Sequence, residues 1–196
     1  MQDLIETRVW KIIPENLPTV LHNCPKCGKQ CEFVSSGNFR VNANRKAIDV
    51  WLIYQCENCN TTWNMEILSR VNPRTIGEDI YKKFANNDKE LAEKYAFDVA
   101  VHSKNRIVTN YKNVIYRIEG EEICYRTQKE TIQIKIQCQY PIDLRIDKIL
   151  SERLGLSREE IKKMCKNGLI KSDGLENFWK GKVRDGILLQ LLPHLR

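Results

Sequence analysis

Cys24-Pro25-Lys26-Cys27-Gly28 and Cys56-Glu57-Asn58-Cys59-Asn60 form two Cys-x-x-Cys pairs. Thiolates are soft ligands, and zinc binds four of them at the corners of a tetrahedron about 2.3 Å from the metal. Two intervening residues let one tight turn aim both sulfurs at the same ion, and Gly28 supplies the positive φ such a turn often needs. Cys24, Cys27, Cys56 and Cys59 are therefore expected to hold one zinc ion. Four thiolates leave no open coordination position, so the expected metal is structural, not catalytic. The alternatives are a redox pair, disfavoured by two motifs and no βαβ context, and uncoordinated buried thiols. Cys31 and His22 lie close enough in sequence to compete as ligands, but the two pairs already fill four positions. Cys124, Cys138 and Cys165 fall on apolar stripes and are expected in the core.

The chain has 196 residues, eight of them cysteine, and a net charge of +7. That length suits one large domain or two small ones. Apolar residues at 42% and charged residues at 29% fit a globular chain, so disorder is not expected. The start, Met1-Gln2-Asp3-Leu4-Ile5-Glu6, has neither a basic opening nor an apolar core. No signal peptide is expected, and cysteines kept reduced in a cytoplasm are metal ligands more often than disulfides. The longest apolar runs, Val50–Tyr54 and Ile187–Leu189, are too short to span a bilayer, so no membrane partner is expected. The positive charge suits an anionic partner, nucleic acid first.

These residues need elements to position them. The first 72 or so residues hold strand-like runs at Phe39–Val41 and Ile48–Tyr54, with Ser35–Asn38 as a hairpin turn between Val34 and Phe39. Placed beside the two cysteine turns, such strands resemble a zinc ribbon. Ile76, Ile80, Tyr81 and Phe84, then Leu91, Tyr95, Ala96 and Val99, repeat at helical spacing. Asn87 with Glu90 predicts a capping box, hence two helices broken near Asn86–Asp88. Asn113–Ile118, a turn at Glu119–Glu122 and Ile123–Tyr125 predict a β-hairpin. Ile132, Ile134, Ile136 and Cys138 alternate with polar residues, predicting a half-buried strand that Pro141 ends.

Toward the C-terminus, Ile146, Ile149, Leu150 and Leu154 share a helical face that Gly155 stops. Ser157-Arg158-Glu159-Glu160 is a capping box opening a second helix, with Ile161, Met164 and Cys165 as its buried stripe. Arg158, Lys162 and Lys166 make a cationic ridge on another face, although a charge row is often only a solvated surface. Gly168 can stop this helix. Leu169–Ser172 predicts a strand, Asp173-Gly174 a turn, and Val183–Leu191 further strand.

The runs Arg145-Ile146-Asp147, Ser157-Arg158, Gly168-Leu169-Ile170 and Lys182-Val183-Arg184-Asp185-Gly186 resemble the RNA-binding domain named for ribosomal protein S-four, the alpha-L motif. The resemblance implies two short helices on a small sheet, with basic residues near the start of the second helix facing structured RNA. By position it implies Arg145, Ser157, Arg158, Lys162 and Lys166 as contacts to ribosomal or transfer RNA. The sequence departs from that pattern at Asp173, Ile187, Ile161 and the Leu175–Gly181 segment with Phe178 and Trp179. The whole chain is also similar to a bacterial family known only as a domain of unknown function, number ten sixty-two, through Val50–Cys56 and Tyr95–Ala100. That similarity implies an architecture and no activity.

A catalytic set is not evident. His22, His102 and His194 sit in no motif with a nucleophile, and there is no phosphate-binding glycine loop or nucleophile elbow. Asp98 and His102, one helical turn apart, fit a surface contact better than an acid–base pair. The sequence thus predicts an α+β protein in three parts: a zinc ribbon (1–75), a helical connector with a β-hairpin (76–140) and an S-four-like module (141–196). Non-catalytic binding of structured RNA is the expected function. A protein-interaction or regulatory adaptor is the alternative, and an RNA-modifying enzyme is a more distant one.

Overall fold

The structure is a computed structural model that describes residues 5–44, 46–172 and 176–193. Along the chain run β1 (Glu6–Pro14), β2 (Thr19–Cys24), β3 (Lys29–Ala43), β4 (Ile48–Cys56), β5 (Thr62–Val71), α1 (Glu78–Ala85), α2 (Lys89–Ala96), α3 (Val99–Lys104) and β6 (Val108–Asn110). There follow β7 (Tyr116–Glu119), β8 (Ile132–Cys138), α4 (Ile146–Leu154), α5 (Arg158–Lys166), β9 (Ile170–Ser172) and β10 (Leu188–Leu191). The mixture is the expected α+β class. Two compact units result: one continuous, Asn16–Val114, and one joining the chain up to Glu15 with the chain from Ile115. The divisions expected at 75 and 140 do not fall on these boundaries. The reason is long-range pairing, since β1 lies between β7 and β8, far away in sequence.

In the Asn16–Val114 unit the strands are antiparallel in the order β5-β4-β3-β2-β6. Ile48, Val50, Leu52, Tyr54 and Cys56 of β4 are all buried, the period-two pattern of a strand with one face in the core. The helices pack on this core through aromatic rings: Phe39 meets Phe84 at 5.0 Å and Tyr95 at 6.2 Å. The Ser35–Asn38 segment is not the predicted hairpin turn. β3 runs through it as a bulge, with Gly37 at φ +71° and the Ser36 hydroxyl donating to the Ile53 carbonyl at 2.9 Å. The reversal comes later, where Asn44 Oδ1 accepts from Lys46 N and Ala47 N at 2.9 and 2.8 Å.

The helix break falls where predicted, but the cap is Asp88, which accepts from Leu91 N. Asn87 instead turns left-handed at φ +54° and its Oδ1 accepts Phe39 N at 2.6 Å. A third helix, α3, is capped by Asp98, whose Oδ1 accepts from Ala100 N and Val101 N. Ile80 and Val99 are exposed, so the predicted stripes are narrower than drawn. His102 is not in a surface contact: it is 3% exposed, and its Nδ1 lies 2.6 Å from Thr109 Oγ1.

In the second unit the sheet order is β7-β1-β8-β10-β9, with β1 and β8 parallel and the other pairs antiparallel. β8 buries Ile132, Ile134, Ile136 and Cys138, as the alternation predicts. α4 buries Ile146, Ile149, Leu150 and Leu154 and ends at left-handed Gly155; α5 buries Ile161, Met164 and Cys165. Both hydrogen bonds of the Ser157–Glu160 capping box are present. The predicted 113–125 hairpin does not form. β7 pairs with β1, and beyond it Gly120, at φ +122°, brings the backbone so near β1 that a Cβ would stand 2.2 Å from Val9 O. Ile123 and Tyr125 are buried outside any strand, and Cys124, expected in the core, is exposed. Within the span read as strand from Val183, only Leu188–Leu191 is strand. The Asp173-Gly174 turn lies outside the described residues.

Candidate functional site

Both cysteine turns stand at one end of the Asn16–Val114 sheet, one linking β2 to β3 and the other linking β4 to β5. They are built alike. Gly28 N donates to Cys24 O at 2.9 Å, and Asn60 N donates to Cys56 O at 2.8 Å. Gly28 and Asn60, each following the second cysteine of its pair, are left-handed at φ +66° and +59°. Asparagine tolerates that conformation better than other side-chain-bearing residues, so the second turn needs no glycine.

The turns bring the four sulfurs together. Cys24 Sγ lies 3.4 Å from Cys59 Sγ, Cys27 Sγ lies 4.0 Å from Cys56 Sγ, and all four fall within 4.8 Å of one another. Ligand bonds of 2.3 Å in a tetrahedron imply sulfur–sulfur edges of about 3.8 Å, so the observed set is close to a four-thiolate cage. The thiol pKa values are shifted in both directions. The Thr61 hydroxyl, 3.1 Å from Cys59 Sγ, is the main cause that lowers this thiol to about 6. Contacts from Cys59 and then Cys24 push Cys27 upward. Four sulfurs this close cannot all ionise comfortably without a cation among them.

Neither sequence neighbour joins the set. His22 stacks on Trp63 with centroids 4.2 Å apart, and Cys31 Sγ accepts from Asn58 Nδ2 at 3.4 Å.

A second constellation lies in the other unit. Asp147, in the first turn of α4, is 6% exposed. Arg145 donates to it from Nε and Nη2 at 3.0 and 2.8 Å, and Arg158 Nη2 reaches both carboxylate oxygens at 3.0 and 2.8 Å. Burial alone would raise the Asp147 pKa, but the hydrogen bonds from Arg145 and Arg158 reverse this and hold it below the usual carboxylate value. The carboxylate therefore fixes two guanidinium groups, each about half exposed, side by side. They open on a cleft of about 370 Å³ lined also by Glu159, Lys162, Trp179 and Lys180. Lys162 and Lys180 form no ion pair among the described residues.

Of the five RNA contacts implied by sequence, Arg145, Arg158 and Lys162 meet in this cleft. Ser157 is committed to capping α5. Lys166 lines a neighbouring cleft with Lys171 and Phe178, because eight residues along a helix rotate it about 80° from Arg158. Sequence reasoning missed Asp147 as the brace and Lys180 as a fourth cation. An acid in the first turn of a helix is ordinarily a dipole partner, and nothing local marks this one as buried. Lys180 reaches the cleft through a fold-back beside α4, where Gly181 O accepts Ile146 N and Lys182 bridges Arg145.

Among the described residues, no helix is long and apolar enough to cross a membrane. A family profile described as Protein of unknown function (DUF1062) matches residues 41–175. No curated protein matches the chain, and no solved structure does.

Proposed function

The chain belongs to the DUF1062 family of proteins of unknown function, and from its own residues we propose that it binds structured RNA, with a zinc ion fastening the Asn16–Val114 unit. The observation that carries the RNA reading is the guanidinium pair held by Asp147 beside Lys162 and Lys180. Arginine forks suit phosphate oxygens, and a pair already fixed loses little freedom on binding. The carboxylate neutralises one of the four cations, and Glu159 at the rim opposes another, leaving the cleft net positive. RNA would be recognised by phosphate neutralisation and helix shape rather than by sequence. The likeness of this region to the S-four type of RNA-binding module, and the chain's net charge of +7, point the same way.

Zinc is supported by the four-sulfur geometry. Cys24, Cys27, Cys56 and Cys59 would hold it, and its chemistry there is to neutralise and cross-link two hairpin turns of a ribbon-like sheet. Thiolate ligation of this kind suits a reducing cytoplasm. The adaptor alternative gains nothing from Trp179, which at 7% exposure offers no docking side chain.

The test is direct titration of an RNA stem-loop with the protein and with a Lys162→Gln/Lys180→Gln variant. The parent is expected to bind with strong salt dependence. The variant should bind more weakly, with a log–log salt slope lower by about 1.5 to 2. Equal binding by both would remove the cleft from the account.

A further inference from the structure

The sheet of the second unit has two unlike faces. One is buried: Trp10 and Ile12 of β1, Ile134 and Ile136 of β8, and Leu189 and Leu191 of β10 are at most 1% exposed. The other face follows from the register. Thr7, Val9 and Lys11 of β1 stand opposite Gln133, Lys135 and Gln137 of β8. Lys135 and Gln133 in turn stand opposite Leu188 and Gln190 of β10, and Gln190 stands opposite Lys171 of β9. All of these side chains are exposed or half-exposed.

Three properties of this face matter together. First, Lys11, Lys135 and Lys171 fall on one diagonal. Each step shifts two residues along the strands while crossing one strand and then two, which gives spacings of about 8 and 12 Å. Second, among the described residues no carboxylate projects from this face of β1, β8, β10 or β9. The nearest acid is Glu119 on β7, opposite Lys11, and it is already held by Arg117 Nε and Nη2 at 3.2 and 3.0 Å. Third, the lysines are interleaved with Gln133, Gln137 and Gln190, amides that can both donate and accept.

A row of cations across four strands whose outer face carries no carboxylate among the described residues, with amides between them, is complementary to a polyanion that also carries hydroxyls and base edges. We propose that this bare face is a second RNA-binding surface, along which a phosphate backbone follows the Lys11–Lys135–Lys171 diagonal while the glutamines meet sugar or base groups. The inference rests on the RNA reading above and extends it from the Arg145–Arg158 cleft to the open sheet. Backbone tracking of this kind is electrostatic and tolerant of sequence. An anionic membrane surface is the competing polyanion. It is less well matched, because the glutamine amides that interleave the lysines gain little from lipid headgroups.

The experiment titrates the full chain with an RNA stem-loop carrying a single-stranded extension, over a range of salt, by fluorescence anisotropy. The parent is compared with Lys11→Gln/Lys135→Gln/Lys171→Gln and, separately, with Lys162→Gln/Lys180→Gln. Glutamine at outward strand positions keeps the sheet, and circular-dichroism melting verifies that each variant folds. The sheet variant is expected to lose about tenfold in affinity at physiological salt, with a slope lower by about 2. The cleft variant should lose affinity independently, so that the two losses multiply. If the sheet variant binds like the parent while the cleft variant weakens, the sheet proposal fails and the cleft reading stands. If the parent binds no RNA, both fail. If the sheet lysines govern binding to phosphatidylserine vesicles but not to RNA, the face is a membrane surface and the proposal is overturned.

Discussion

The two units solve a similar mechanical problem with different chemistry. Each is a five-stranded sheet with helices. The Asn16–Val114 unit fastens the end of its sheet with four thiols drawn from two turns. The other unit fastens its α4–α5 corner with a buried carboxylate between two arginines. The first device is self-contained, with Cys24 and Cys56 buried and Cys27 and Cys59 half-buried, so its ligands would satisfy one another around a cation. The second leaves its guanidinium groups half exposed and available to a partner. On the proposed reading, comparing them separates stability from recognition: the thiol cluster would serve the former, and the arginine pair could serve both.

The sharpest way to break that contrast is to attack the thiols. Replacing Cys56, which is fully buried, by serine, or stripping the metal with a strong chelator, should unfold the Asn16–Val114 unit at a cost of several kcal/mol. Hydrogen exchange should show rapid labelling of β2 to β5 while β8 and α4 stay protected. Equal labelling of both units would erase the distinction. The second unit has its own weak point at Gly120. Gly120→Ala places a methyl against Val9 O at an unfavourable φ, and should cost about 3 kcal/mol, read as a loss of protection in β1 and β7.

The carboxylate brace is the next smaller effect. Asp147→Asn removes the charge between Arg145 and Arg158 and should cost about 1 to 2 kcal/mol, less than a fully buried pair because both arginines are half exposed. Its pH signature has a definite sign. Asp147 is held below its unfolded value near 3.9, so its contribution is complete above that value and is lost as pH falls through the folded pKa. The stability gap between parent and variant should therefore be full at neutral pH and close below about pH 4. Smallest of all is the effect of Lys162→Gln/Lys180→Gln on stability, within about 0.5 kcal/mol in a thermal melt, since neither lysine has an ion partner among the described residues.

The same contrast explains what could be read from sequence. The thiol cluster was legible because its information is local: two identical spacings specify two identical turns, and only the pairing of those turns is long-range. The amphipathic α4 and α5, their stop at Gly155 and the Ser157–Glu160 box were legible for the same reason. The arginine–carboxylate brace was only half visible. Arg145 and Arg158 could be picked out by position, but the burial of Asp147 and the arrival of Lys180 depend on a fold-back that no short period encodes. The misread hairpins fail in a common way. At Ser35–Asn38 a bulge has the composition of a turn, and at Glu119–Glu122 the chain only bends at Gly120 and runs into a loop because β7 finds β1 as its partner. Local turn chemistry says that the chain bends, not which strand it then meets.

The account stands or falls on whether this chain engages RNA through fixed cations. The most direct measurement is the affinity of the intact protein, supplied with zinc, for an RNA stem-loop, followed from low to physiological salt. The account predicts a linear fall of log K with log salt whose slope corresponds to about three or more phosphate contacts, with little difference between unrelated stem-loop sequences. Binding that ignores salt, or no binding to any stem-loop at low salt, would contradict it.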